Sequence, residues 1–264
     1  MFQPDLLRDQ VAVITGGGTG IGLAIAKRLG ALGAQIAIAS RNAEHIELGT
    51  NALREIGVDA LAVQLDVRNP EQVDEMVLRT VKHFGSLDIL INNAAGNFIC
   101  RAEDLTPNGW NAVIGIVLNG SFYCSRAVGQ YMIARKRGGS IVSILADYVW
   151  TGSPGTIHSA AAKAGVMSMT QTLAVEWARH QIRVNAVAPG PIASSPGAAN
   201  QLWSTPEAVE RITAMIPGGT WGTPEQVADA VAFLVAPQSS FISGEILTID
   251  GGTWLNRGTF GFMA

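Results

Sequence analysis

The sequence predicts an α/β protein: a doubly wound, largely parallel sheet with helices on both faces, in a single domain over 1–264. Three observations carry this. Short apolar runs alternate with helix-patterned stretches along all 264 residues, the pattern of βαβ units rather than of separate α and β domains. A glycine-rich turn stands between the first such run and the first helix. Hydrophobic residues make up 48% of the chain and charged ones 15%, as suits strands covered on both faces. A chain of this length can bury ample core.

The first strand is QVAVIT at 10–15, followed by GGGTGIG and a helical pattern at 21–32. Gly16, Gly20 and Gly22, with Thr19 and Ile21 between them, form T-G-x-x-x-G-x-G. Such glycines let backbone approach a pyrophosphate, and the helix that follows offers free N–H groups and a positive dipole end. Alone, the motif could be a tight turn. Its place between strand and helix points to dinucleotide binding.

The second strand, 35–40, ends in Ser40 and Arg41, where an NAD-binding protein would usually carry an acid for the ribose 2′-OH. No carboxylate is there to repel a 2′-phosphate, and a guanidinium can grip one bidentately. NADP(H) is therefore the expected cofactor; the alternative is a solvated Arg that merely opens the next helix. A helix at 43–56 leads to the third strand, 60–66, whose terminal Asp66, with Val67, is placed to meet an adenine. Arg68 follows, and Asn69-Pro70 opens another helix with Pro in the first turn, where its missing N–H costs little.

The fourth strand, 87–92, runs into Asn93, Ala94, Ala95 and Gly96, small residues against which a flat ligand can lie, then Asn97 and Phe98. Thr106-Pro107 opens a helical region reaching about 137. Within it Asn119 is unfavourable by propensity. It either satisfies a core carbonyl or takes part in a helix distortion or water chain.

After the fifth strand, 140–145, comes YVWTGSPGTIHSAAAK at 148–163. Its polar groups fall at the carboxyl end of the sheet, where open α/β folds keep ligands. A helix at 160–179 and the strand-like QIRVNAVAPGPI at 181–192 follow. Pro189-Gly190-Pro191-Ile192 is expected to end regular pairing, because proline lacks the donor. The Pro-, Gly- and Ser-rich stretch 193–221, with a short helix near 206–215, reads as a substrate loop. Thr223-Pro224 starts another helix and 244–252 is the closing strand, making seven strands, all but the last joined by helical crossovers.

With 18 Lys+Arg against 21 Asp+Glu and no charge run, the composition argues against nucleic acid as a partner; small molecules and other copies of the chain are expected instead. Cys100 and Cys124 lack metal-ligand spacing and read as reduced structural thiols. No metal site is expected. Residues 1–9 lack a signal peptide's apolar centre, no apolar run reaches the roughly 18 residues of a membrane span, and GTFGFMA is not a peroxisomal signal. A cytoplasmic protein without a membrane segment is the expectation. His158 reads as a structural or rim residue without an evident partner, and Trp110, Trp150, Trp177 and Trp203 as core or substrate-wall residues.

TGGGTGIG at 15–22, DV at 66–67, NNAAG at 92–96, Asn119, Lys163, PGPI at 189–192 and DGG at 250–252 stand in order along the chain. As a set they resemble the short-chain dehydrogenase/reductase family over nearly the whole sequence. The resemblance implies a Rossmann-type doubly wound seven-stranded parallel sheet, strand order 3-2-1-4-5-6-7, and a homotetramer. It also implies that the dinucleotide is held by the residues named above, with Lys163 on the nicotinamide ribose and Pro189, Gly190 and Ile192 beside it.

The family pattern demands Tyr-x-x-x-Lys, yet here Ser159 stands four residues before Lys163, and Ala146 falls where the helping Ser belongs. A Ser hydroxyl is far too weak an acid to replace the phenol of a ketone reductase. The same departure occurs in the NADPH-dependent 2,4-dienoyl-CoA reductase branch, which this chain also resembles in INNAAGNF at 91–98, LTPNGW at 105–110, IVLNG at 116–120, and a Tyr fifteen residues before the Lys. That resemblance implies an acyl-CoA substrate, with Tyr148 and Asn97 on the thioester carbonyl and Ser159 and Lys163 orienting a proton-donating water. It implies contacts to substrate from Arg68, Phe98 and Thr106. Asp147 is a second candidate acid. A reductase of another carbonyl or enone, and a catalytically silent NADP(H)-binding protein, share the fold, since function belongs to the site.

Overall fold

A computed structural model describes residues 2–193 and 205–256 of the chain. Seven strands form one sheet: β1 (Val11–Thr15), β2 (Gln35–Ser40), β3 (Ala60–Gln64), β4 (Ile89–Asn92), β5 (Gly139–Ile144), β6 (Ile182–Pro189) and β7 (Ile246–Ile249). Their order is β3-β2-β1-β4-β5-β6-β7 and every pairing is parallel. The direction of winding reverses between β1 and β4, which opens a crevice at the carboxyl ends of those strands.

The helices are α1 (Gly20–Ala31), α2 (Ala43–Arg54), α3 (Pro70–Phe84), α4 (Pro107–Ile114), α5 (Gly120–Arg135), α6 (Ile157–Glu176), α7 (Pro206–Thr213) and α8 (Pro224–Val235). Strand side chains alternate between the faces. Ala12 and Ile14 of β1 join Ile25, Leu29, Ile46 and Val231 from α1, α2 and α8 on one face. Val13 joins Met76, Val128 and Ala174 from α3, α5 and α6 on the other. The caps follow the sequence: Asn69 accepts the Gln72 N–H before α3, Thr106 the Gly109 N–H before α4, and Thr223 forms a capping box with Gln226 before α8. Each such cap contributes about 1 kcal/mol.

Four expectations change. The last strand, too, is reached by a crossover, since α8 lies between β6 and β7 and the two strands pair in parallel. Helix α6 begins at Ile157, so His158 and Ser159 lie in its first turn rather than before it. Pairing also runs into Pro189, opposite Ile249, and resumes in a bridge between Ile192 and Gly222; proline's carbonyl can still accept where its nitrogen cannot donate. Finally, Pro107–Arg135 is one helical segment of 29 residues, long and apolar enough to cross a membrane by length and composition. Half of its most apolar window is buried, and Cys124, Val128 and Met132 pack in the sheet-covering core.

Candidate active site

The glycine turn is shaped by close approach. Gly16 and Gly20 have φ of 65° and 52°, values that favour glycine. A Cβ on Gly22 would lie 2.3 Å from the Gly16 carbonyl oxygen and 2.5 Å from Asn93 Nδ2. Asn93 Nδ2 donates to the carbonyls of Thr15 and Gly16 at 2.9 and 3.1 Å, while Thr15 Oγ1 accepts the N–H groups of Asn93 and Ala94, both at 3.0 Å. The ends of β1 and β4 are thus knitted into one trough, with Ala95 exposed beyond it. Thr15, which opens the glycine motif, carries this link between the strand ends, a role that the motif alone does not reveal.

At the mouth of α1, Thr19 makes no side-chain cap, no acid occupies the first turn, and Leu23 N–H finds the Thr19 carbonyl. The helix end is therefore positive, with amides facing the turn. A trough closed to side chains beside such a helix end fits the pyrophosphate of a dinucleotide. Gly16, Thr19, Gly20, Ile21, Gly22, Asn93, Ala94 and Ala95 would hold it.

Ser40 ends β2 and Arg41 is exposed beyond it, its carbonyl accepting from Gln64 Nε2 at 3.1 Å. Arg68 is engaged with Asp66: its Nε lies 3.0 Å from both carboxylate oxygens and Nη2 2.5 Å from Oδ2. The hydrogen bond from Arg68 holds the Asp66 carboxyl below the usual carboxylate range, against the opposing effect of burial. Val67 is buried, and its side chain occupies the space that a Cβ on Gly120 would need.

The centre lies at the carboxyl end of β5. Asp147–Trp150 forms a short 3-10 turn that sends the Tyr148 hydroxyl to 2.9 Å from Ser159 Oγ, in the first turn of α6. One turn further, buried Lys163 donates through Nζ to the Ile144 carbonyl at the end of β5. Burial lowers its pKa from 10.5 to about 8. Burial raises the Tyr148 phenol above its ordinary value; the Ser159 hydrogen bond opposes this and the Asp147 charge adds to it. The phenol therefore holds its proton at neutral pH, and the lysine is mostly cationic. Asp147 also faces Gly190: a Cβ there would lie 3.3 Å from its Oδ2 and 2.6 Å from Asp250 Cβ.

Asn97 Oδ1 accepts the Phe98 N–H at 2.9 Å, which leaves its amide nitrogen as a donor. Phe98 packs edge-on against His158, centroids 4.4 Å apart. His158 is fully buried, with Nδ1 accepting the Ser159 N–H at 2.8 Å, which agrees with the structural alternative rather than the rim one and supplies the partner that the sequence did not show. Asn119 closes a π turn, Gly115–Asn119, inside the long helix, which is the distortion anticipated there. Its side chain is exposed and makes no hydrogen bond to Tyr148, Ser159 or Lys163. Thr106 is exposed and its hydroxyl caps α4. Gly190 N–H donates to Ile249 O at 2.9 Å, and Ile192 is buried beside Gly222.

Of the anticipated substrate loop 193–221, residues 194–204 lie outside the described residues, as do Trp203 and the GTFGFMA terminus. Trp150 stacks on Trp254, centroids 4.8 Å apart, and Trp177 packs against Gly129 in the core. Among the described residues there is no cluster of His, Cys, Asp or Glu suited to a metal ion.

The chain is similar to known proteins over nearly its whole length. The family model described as enoyl-(acyl carrier protein) reductase matches residues 16–253. A Bacillus subtilis protein named "Probable 2,4-dienoyl-CoA reductase [(2E)-enoyl-CoA-producing]" is 46% identical over 95% of this chain and 98% of its own length. The Arabidopsis thaliana "Peroxisomal 2,4-dienoyl-CoA reductase [(3E)-enoyl-CoA-producing]" is 40% identical over 97% of this chain and 88% of its own. A crystal structure of a short chain dehydrogenase from Bacillus anthracis superposes with a TM-score of 0.90 at 46% identity, covering 96% of this chain and 99% of that one. The chain belongs to the short-chain dehydrogenase/reductase family of nicotinamide-dependent oxidoreductases.

Proposed function

We propose that the protein reduces 2,4-dienoyl-CoA thioesters with NADPH to 3-enoyl-CoA. The observation that carries the reading is the displaced phenol. Tyr148 comes from outside α6, yet its hydroxyl meets Ser159, one turn before Lys163, at 2.9 Å. The names of the relatives support the substrate class. Exposed Arg41 at the end of β2, with no acid at that strand end, supports NADPH over NADH. Family resemblance supports a homotetramer.

When bound, the reduced nicotinamide supplies a hydride for the δ-carbon of the dienoyl group. Electron density then moves through the conjugated system onto the thioester oxygen, several bonds away, so the donor has to stand away from the position of a ketone reductase's acid. Tyr148, protonated and held by Ser159, donates a hydrogen bond to that oxygen, and the Asn97 amide donates a second. Such donors act where charge develops and are worth most in a site shielded from water. Lys163 binds the nicotinamide ribose and, with Ser159, orients a water whose proton goes to the α-carbon. Arg68, Phe98 and Thr106 line the approach of the acyl-CoA.

Delivery to the α-carbon leaves the double bond at the 3-position, whereas delivery to the γ-carbon leaves it at the 2-position; the two relatives' names differ on this point. The test is loss of NADPH absorbance with 2,4-hexadienoyl-CoA and 2,4-decadienoyl-CoA, beside Tyr148→Phe, with the deuterium position in the product read after reaction in D₂O. Losing one such donor lowers kcat by about 10²- to 10³-fold. Tight NADPH binding without oxidation of either thioester refutes the assignment.

A further inference from the structure

His158 is a fully buried histidine to which the proposed chemistry gives no part. Its ring is held from two sides. Nδ1 accepts the N–H of Ser159 at 2.8 Å, an amide of the first helical turn that needs a partner. Thr156, at the capping position, makes no side-chain cap and instead donates its hydroxyl to Ser153 O. The histidine therefore does the work of the missing cap. A nitrogen that accepts an amide proton carries none of its own, so the ring's proton is on Nε2. That atom is buried and has no hydrogen-bond partner among the described residues.

On its other side the ring meets Phe98 at 86° with centroids 4.4 Å apart. Phe98 is the residue whose N–H binds Asn97 Oδ1. The same loop is tied down again by Cys100 N–H on the Gly155 carbonyl at 2.8 Å. One imidazole thus spans the gap between the helix turn that carries Ser159, and through it Tyr148, and the loop that carries Asn97. An aliphatic side chain would fill this space without burying an unpaired donor. A histidine here fixes its own rotation by committing one nitrogen to the helix, and so fixes where Phe98 rests.

We propose that His158 is a positioning residue that sets the separation of Tyr148 and Asn97, the two donors for the thioester oxygen. The inference rests on the reductase reading above. His158→Asn keeps an acceptor for the Ser159 amide but loses the ring; His158→Phe keeps the ring but loses the acceptor. Phe98→Leu alters the same contact from the loop side and serves if either His158 variant fails to fold.

The readout is the carbonyl stretch of hexanoyl-CoA, a saturated thioester, bound with NADP⁺ to the full chain, together with single-turnover rates on 2,4-hexadienoyl-CoA. Wild type is expected to lower the stretch relative to free thioester. In the variants the stretch returns toward the free value and the rate falls about tenfold or more, as for a donor displaced by an ångström or so, with NADPH affinity unchanged. Folded variants that keep both the wild-type shift and the rate overturn the assignment. A wild type that neither shifts the carbonyl nor reduces the dienoyl thioester overturns the reductase reading itself, and this inference with it.

Discussion

Lys163 is required to be both buried and charged, and the conflict is measurable without any substrate. Burial brings its pKa from 10.5 to about 8. At 1.36 kcal/mol per pH unit the buried charge opposes folding by roughly 3 kcal/mol below about pH 8. The folded pKa is depressed, so between about 8 and 10.5 the unfolded chain binds the proton that the folded chain has released, and stability rises with pH through that window. Lys163→Met removes this titration. Cys124 and Tyr148, both raised by burial, titrate in both proteins, and their effects cancel in the comparison. In urea melts of the cofactor-free proteins, the unfolding free energy of wild type should gain about 1 kcal/mol on that of Lys163→Met between about pH 7 and about pH 9. A difference that stays flat or falls would show that the ammonium is better solvated than its surroundings indicate, and the reasoning about its burial would fail.

Two further outcomes follow from other parts of the molecule. Arg41→Ala should raise KM for NADPH by about tenfold or more while leaving that for NADH within about threefold, as expected for loss of a charge-assisted phosphate contact; an equal change in both would remove Arg41 from cofactor choice. Arg183 reaches from β6 to the carbonyls of Leu234, Val235, Ala236 and Ile242, holding the end of α8 against the sheet. Arg183→Met should destabilise the fold by about 2–4 kcal/mol in urea titration, with kcat per folded molecule unchanged.

The strands were legible because each is a short β-branched or apolar run, and the glycine turn because Gly16, Gly20 and Gly22 sit between strand and helix. What periodicity could not show is the set of contacts made by single polar atoms. Thr15 is one hydroxyl in a buried strand, yet it accepts two amides from the end of β4, 78 and 79 residues away in sequence. Helix α6 begins three residues before the expected 160, where Thr156 stands at the capping position without a side-chain cap and His158, two residues on, makes the hydrogen bond. Asn119 was legible as a distortion, not by direction: the π turn that contains it leaves its side chain exposed. The pairing of Arg68 with Asp66 was not legible either: the two-residue spacing lets the guanidinium fold back onto that carboxylate, a local option available to any Asp-x-Arg.

The electrostatics of the centre also bear on the direction of the reaction. In the usual arrangement a lysine beside a phenol favours the phenolate, which serves as a base for alcohol oxidation as readily as the phenol serves as an acid. Here burial and the charge of Asp147 raise the phenol, outweighing the hydrogen bond from Ser159. Lys163 stands on the Ile144 carbonyl at the sheet end, and Tyr148 is bonded to Ser159 instead. On the proposed mechanism a phenol held in its protonated form can donate to a developing oxyanion but is a poor base at neutral pH. On that mechanism such a site would serve reduction of a conjugated thioester better than oxidation of an alcohol, and the charge of Asp147 adds to the rise of the phenol beside it.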